Sequence, residues 1–253
     1  MSWLLLDTAL PRAVVAVVAA DGTVQSEVLL DETRRHAERL TAAVDDALSV
    51  AGIVVGDLVG IGVGIGPGSF IGVRTGLSFA RGLGSALQVP VVGVDAITSL
   101  YASVVDDGAG AVVVVDARRG ERYLGHVDVV GGAPQWRAEP VAVPNADVVA
   151  TAGDVVHAVG AVDSTADGEL QWPTSMRLHP LPGATARGMW RALQAATARQ
   201  AGHGPAHSPV APLPVYVRGA DAKLPSTDPA ARRASVLATL DALDASEPSG
   251  GPR

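Results

Sequence analysis

The chain contains no cysteine, so neither a disulfide nor a thiolate metal site can stabilise it or supply its chemistry. Aromatic residues make up only 4% of its 253 residues, against 48% hydrophobic residues in all, so the core must be built from Val, Ala, Leu and Ile. A chain of this length can bury a sizeable core from such residues. Positive charge is also sparse. Lys and Arg number 19 against 26 Asp and Glu, for a net charge of −7. Phosphate-backbone binding needs clustered Lys and Arg, so a nucleic-acid partner would meet most of its positive surface on another subunit. No apolar run approaches the roughly 20 residues of a membrane span. The opening MSWLLLDTALPR has no basic stretch before its apolar run, and Asp7 interrupts that run, so it does not read as a secretory signal. A cytoplasmic protein with no membrane partner is expected.

The common catalytic signatures are missing too. The six histidines show no His-Glu-x-x-His spacing. His203 and His207 are four apart, but in a Gly/Pro-rich stretch rather than a helix. No serine sits in a Gly-x-Ser-x-Gly elbow. No Gly-Lys-Ser/Thr follows a glycine-rich loop, which excludes a Walker A site.

What is present is an α/β pattern. Apolar runs at 3–8, 13–20 and 23–30 read as three strands, with a hairpin signal at Asp21-Gly22. Residues 33–51 carry Ala37, Leu40, Val44, Ala47, Leu48 and Ala51 on one stripe, the spacing of an amphipathic helix. A β-like run at 58–65 leads into Gly66-Pro67-Gly68-Ser69-Phe70, a helix at about 72–87 and a strand at 91–94. A further strand at 111–117 then repeats the opening. Asp7 and Asp116 each end a strand, and Gly22 and Gly131 lie fifteen residues after them. Two related halves dividing near 105–110 are expected, the second degraded because it has no second Gly-Pro-Gly loop. A short helix at 145–152, a strand at 155–160 and a helix at 184–200 complete the second half. Asp228-Pro229 opens a last helix at 228–245, ahead of a polar tail.

Four features could carry chemistry. Asp7-Thr8 at a strand end could hold a magnesium water or orient a phosphate, or Asp7 could simply cap a turn. The loop from Gly66 through Gly68 and Ser69 could offer backbone N–H groups at a helix N-terminus to phosphate, or its glycines could permit close packing. In the helix after it, Gly72, Gly76, Ala80 and Gly84 form one ridge almost without side chains, and Ser78, Gly82 and Ala86 a second. Each helical glycine costs about 1 kcal/mol relative to alanine, so the first ridge implies that another backbone comes close. The 33–51 helix and a helix of another subunit are both expected there. Arg118, Arg119 and Arg122 could touch phosphate or occupy a solvated turn.

Leu5-Leu6-Asp7-Thr8-Ala9, Arg35-His36-Ala37-Glu38-Arg39-Leu40, the run Gly66 to Arg74, the run Asp116 to Tyr123 and Pro214-Val215-Tyr216-Val217-Arg218 together resemble the TsaB (YeaZ) family of tRNA threonylcarbamoyladenosine (t6A) biosynthesis proteins, over about residues 1–226. The resemblance implies an actin-like/Hsp70-like ATPase (ribonuclease H-like) fold of two α/β lobes, at 1–106 and 107–226, with 227–253 as an extension. It implies a non-catalytic scaffold and activator subunit. Its partners would be the catalytic paralogue TsaD and the ATPase TsaE, with a homodimer when alone and tRNA reached through the complex. The partner interface would run over His36, Leu40, Val44, Gly72, Val73, Gly76, Leu77, Ala80, Leu83 and Gly84. A nucleotide, if held at all, would be weakly bound Mg-ATP or Mg-ADP at Asp7, Thr8, Gly66, Gly68, Ser69 and Asp116. Where the paralogue carries two metal-binding histidines after its Pro-Val-x-Gly-Val strand, this chain has Ala96 and Leu100. Ile71 replaces the family's usual threonine, removing a hydroxyl from the loop. The competing reading is an actin-like-fold ATPase or phosphotransferase using Asp7, Thr8 and Asp116. A peptidase, an older label for the wider family, has no nucleophile, base or metal set to support it.

Overall fold

The computed structural model describes residues 1–31, 36–165, 168–201 and 212–217. The expected helix at 228–245, the tail after it, and His203 and His207 lie outside the described residues.

The first sheet begins with β1 (Ser2–Asp7), β2 (Ala13–Ala19) and β3 (Val24–Leu30), an antiparallel meander. Helix α1 (His36–Ala51) leads to β4 (Leu58–Gly64), and α2 (Phe70–Leu87) leads to β5 (Val91–Val94). β4 and β5 run parallel to β1, giving the order β3-β2-β1-β4-β5. Helix α3 (Ala96–Val104) then crosses to the second sheet. There β6 (Ala111–Arg118), β7 (Glu121–Val130) and β8 (Ala133–Trp136) form another meander, and β9 (Val141–Pro144) also pairs with β7. Helix α4 (Val148–Ala152), β10 (His157–Gly160), the small ladder β11 (Ser164–Thr165) with β12 (Gly168–Glu169), β13 (Arg177–Pro180) and α5 (Ala186–Ala201) follow.

Taken from β8, the second sheet reads β8-β7-β6-β10-β13, the same order and pairing senses as the first. The internal repeat therefore appears in the hydrogen-bonding pattern. Asp7 and Asp116 occupy equivalent strands, and Gly22 and Gly131 equivalent turns with positive φ. The degradation is visible as well. The counterpart of α1 is the five-residue α4, and only β11 and β12 stand where α2 would be.

Strands β1 and β2 are buried on both faces, which explains why they read as apolar runs without alternation. Leu4, Leu6, Val15 and Val17 point one way, into a core completed by Leu40, Val44 and Ala47 of α1 and Val73, Leu77 and Ala80 of α2. Leu5, Val14, Ala16 and Val18 point the other way. They share a second core with α3, α5 and Val113, Val115 and Val127 of the second sheet. α3 and α5 are thus filling between the two sheets. Polar contacts fasten the same interface. Trp136 Nε1 donates to Asp95 Oδ1 at 2.9 Å, the Ala186 N–H donates to Glu27 Oε1 at 2.6 Å, and the Arg12 N–H donates to the Pro182 carbonyl at 2.9 Å.

Candidate functional site

The carboxyl ends of the parallel strands are where an α/β sheet ordinarily binds ligands. A cleft of about 320 Å³ lies there, between Leu10 and Pro11 after β1 and the ends of β6, β10 and β13. Asp116, Gly160, Ala161 and Asp163 line it, with Leu100 and Pro180 to Pro182. Of the residues expected to hold a nucleotide, Asp116 alone lines this cleft. Its Oδ1 accepts from the Arg118 N–H at 2.8 Å, and its Oδ2 pairs with the Arg118 guanidinium at 3.4 Å. Arg118 and Arg119 are exposed at the β6–β7 turn, both in the left-handed region. Arg122 is buried and donates to Asn145 Oδ1 and the Ala161 carbonyl.

Asp7 is placed differently. It is 1% exposed and lies against the backbone of Gly64, where an added Cβ would stand 2.8 Å from Asp7 Oδ2. Oδ1 accepts from the Ala9 N–H at 2.7 Å, and Oδ2 is buried without a partner. Burial pushes the carboxyl from 3.8 up to about 6, partly offset by the Ala9 hydrogen bond. Thr8 is buried too, and its hydroxyl donates to the Gly72 carbonyl at 2.6 Å. The turn-capping role of Asp7 is thus realised, and the carboxylate is not presented to the cleft.

The Gly-Pro-Gly loop is tied to the same turn. The Ser69 N–H donates to the Ala9 carbonyl at 2.7 Å. Ser69 caps α2, its hydroxyl accepting from the Gly72 N–H at 3.2 Å. The Gly66 carbonyl accepts from the Ala96 N–H, and Gly66 itself takes φ +87. A Cβ on Gly68 would stand 3.0 Å from the Ala9 carbonyl carbon, and one on Gly72 2.9 Å from that of Thr8. The glycines serve close packing of backbone on backbone, and the N–H groups of Ser69 and Gly72 already have internal acceptors. Buried Asp7 and these satisfied amides do not fit a Mg-nucleotide.

The small-residue ridge needs a correction. Gly72, Gly76 and Gly84 face the chain's own first sheet and the turn after β1, and Ala80 is buried on the same ridge. A Cβ on Gly76 would meet Thr8 Oγ1 at 2.8 Å, and Gly84 lies against Val91. Val73 and Leu77 are buried beside them, as are Leu40 and Val44 of α1, and Leu83 is partly buried against the same core. A helix ridge looks the same whether a strand or a foreign helix covers it, so the sequence could not choose. The side chain of His36 lies outside the described residues. The second ridge, Ser78, Gly82 and Ala86, is exposed, as are Arg74, Arg81 and Ser85. The open side of α2 is therefore the ridge of Ser78, Gly82 and Ala86.

At its N-terminal end that open side carries an aromatic cluster with no periodic signal in the sequence. Phe70 is half exposed and lies 5.6 Å from the ring of Tyr216, with the Arg74 guanidinium 3.8 Å from the Phe70 centroid. Residues 212–217 lie back on this lobe. The Val215 N–H donates to the Ile65 carbonyl at 2.8 Å, and the Arg81 guanidinium donates to the Pro212 carbonyl. Ala96 and Leu100 are core residues of α3. Among the described residues, no group of three His, Cys, Asp or Glu side chains converges to hold a metal ion. No described helix is long and apolar enough to cross a membrane.

Comparison with known proteins gives a consistent result. Residues 23–154, just over half of the 253, match the family model described as TsaD, tRNA N6-adenosine threonylcarbamoyltransferase. An uncharacterized protein of Mycobacterium tuberculosis is 35% identical over 160 residues, 61% of this chain and 73% of that protein. The tRNA threonylcarbamoyladenosine biosynthesis protein TsaB of Escherichia coli is 37% identical over 125 residues, 49% of this chain and 53% of that protein. The solved structure of YeaZ from Pseudomonas aeruginosa superposes with a TM-score of 0.66 at 28% identity, covering 85% of this chain and 99% of that one. With the repeated β3-β2-β1-β4-β5 order of the actin-like, ribonuclease H-like fold and the Gly66–Arg74 loop in place, the chain belongs to the TsaB/YeaZ family.

Proposed function

We propose that this protein is a non-catalytic subunit of the machinery that makes t6A in tRNA, acting as scaffold and activator for a TsaD-like catalytic paralogue together with a TsaE-like ATPase. The observation that carries the non-catalytic half of this reading is the closed Asp7–Thr8–Gly72 knot. The groups an actin-like ATPase would turn toward Mg-nucleotide are here spent on packing the loop and α2 onto β1. Core residues Ala96 and Leu100 at the paralogue's metal positions support the same reading. Family membership supports the t6A assignment, the E. coli relative being named for that biosynthesis. The net charge of −7 favours tRNA contact mainly through the partner.

The partner surface we assign is the exposed side of α2, where Ser78, Gly82 and Ala86 let another helix approach closely and Phe70, Ile71 and Arg74 add an apolar and cationic end. The same surface would join two copies when the partner is absent. The test is reconstituted t6A formation with and without this chain, beside co-purification with a TsaD-like subunit. Gly82→Trp has open space around its Cβ, and circular dichroism is expected to show a folded monomer. It is expected to lose the partner and the stimulation of modification. Equal t6A formation without the chain would defeat the function, and full partner binding by folded Gly82→Trp would defeat the surface. The ATPase alternative requires Mg-ATP hydrolysis by the purified chain that Asp7→Asn abolishes, and none is expected.

A further inference from the structure

On the far side of the second lobe from the cleft, three titratable side chains from three segments form a line. His157, first residue of β10, is 3% exposed. Its Nε2 lies 3.1 Å from Asp107 Oδ2, on the connector between α3 and β6, and its Nδ1 lies 2.9 Å from Nε2 of His179 on β13. Arg177 of β13 lies 3.5 Å from the same Asp107 oxygen. We propose that Asp107, His157 and His179 form a proton-sensitive clasp that holds the connector and strand β13 onto β10 and opens when both imidazoles become charged.

The chemistry follows from the contact distance. An N···N separation of 2.9 Å is a hydrogen bond and accommodates one proton, so one ring must present a lone pair. With one proton between the two rings, the Nδ1–Nε2 contact is satisfied and Asp107 lies within hydrogen-bond distance of the other nitrogen of His157. Asp107 keeps its charge throughout, because the Ala109 N–H, and then His157, hold its carboxyl below the usual range. A second proton would put N–H against N–H, beside the guanidinium of Arg177. Burial first, and then the positive charges of His157 and Arg177, accordingly hold His179 below its ordinary 6.5.

The remaining charged groups nearby do not neutralise the second proton. Asp106 is occupied by Arg187 and Arg191 of α5, and Asp128 by Arg137. Tyr101 of α3 donates its hydroxyl to the Ala109 carbonyl. β6 places Ala111 beside His157 in the ladder. An opened clasp returns His179 to its ordinary proton affinity, so closure is favoured above about pH 6.5 and weakens as the pH falls below it. Because β13 is an edge strand, paired among the described residues to β10 alone, the change can be local.

Amide hydrogen exchange of the full chain at pH 7.5 and pH 5.0, corrected for intrinsic rates, tests this. Peptides covering 177–180 are expected to exchange at least fivefold faster at pH 5.0, while those of the β6–β7 ladder are unchanged. His179→Gln, which keeps an N–H donor toward His157 but cannot charge, is expected to remove the difference. Equal protection of 177–180 at both pH values, or the same acceleration in His179→Gln, would overturn the proposal. Imidazole nitrogen NMR of the wild-type protein gives a readout independent of any variant. Two uncoupled titrations near 6.5 would also refute it.

Discussion

Replacing Gly72 and Gly82 by alanine should move stability in opposite directions, although both sit in α2. Intrinsic helix propensity favours alanine at each by about 1 kcal/mol. At Gly82 an added methyl meets nothing within 4 Å, so that gain is realised. At Gly72 the methyl would press into the peptide group of Thr8, 2.9 Å from its carbonyl carbon and 3.2 Å from Ala9 Cα. Neither neighbour can retreat cheaply. Thr8 is held by its own hydroxyl bond to the Gly72 carbonyl, and Ala9 by the Ser69 N–H. Overpacking against flexible side chains costs roughly 1–3 kcal/mol. Against fixed backbone the upper end applies, for a net loss of about 2 kcal/mol after the propensity gain. For a folded unit of this size each kcal/mol shifts Tm by about 2–4 °C. Thermal unfolding followed by circular dichroism, with urea titrations beside it, should place Gly82→Ala about 2–4 °C above wild type and Gly72→Ala about 4–8 °C below it. A Gly72→Ala protein as stable as wild type would refute the reading that the glycines exist for backbone approach. It would also reopen the loop as a ligand site.

Asp7 makes wild-type stability depend on pH in a defined sense. Its carboxyl stays protonated in the folded protein up to about 6, whereas the unfolded group ionises near 3.8, so stability is lost as the pH rises between those values. Asp7→Asn keeps an oxygen for the Ala9 N–H and cannot ionise. Its stability relative to wild type should therefore rise by roughly 2 kcal/mol from pH 4 to pH 7, and a pH-independent difference in urea titrations would contradict the buried, uncharged carboxyl. Trp136→Phe removes the N–H that reaches Asp95 from the other sheet while keeping most of the ring's apolar area. A hydrogen bond to a charged group is worth about 1.5–3 kcal/mol, and calorimetry should show a loss in that range. A loss below 0.5 kcal/mol, about the effect of a neutral surface substitution, would mean that the contact fastens nothing.

The sequence disclosed the first lobe almost element by element, because its strands and helices differ in period. The stripe of α1 and the runs of β1 and β2 leave little choice. It also disclosed the duplication, through Asp7 with Gly22 and Asp116 with Gly131. α3 escaped, and its composition explains why. Ala96 to Ala102 is buried on every side, so it has no polar face to mark a period of 3.6, and only the Asp95 cap marks its start. The candidate site was legible as positions but not as orientations. Asp7 and the Gly66–Gly72 loop stand out in the sequence by their residue types and spacing. Whether an aspartate at a strand end looks outward to a ligand or inward to the next turn depends on Gly64 and Ala9, whose contribution is backbone and leaves no pattern. The aromatic pair Phe70 and Tyr216 and the pair His157 and His179 unite residues far apart in sequence, and spacing rules cannot see them.

The placement of α5 has a consequence for what counts as a part of this molecule. It is the last described helix of the second half, yet it closes the inner face of the first sheet through Met189, Trp190 and Leu193 against Leu5, Val14 and Val18. A chain cut at the connector would hand each fragment an uncovered apolar wall. The two halves are separable as repeats of a topology but not as folding modules, since residues 1–217 form one compact unit. The repeated topology is thus closed into one compact unit, with a helix of the second half covering the inner face of the first sheet.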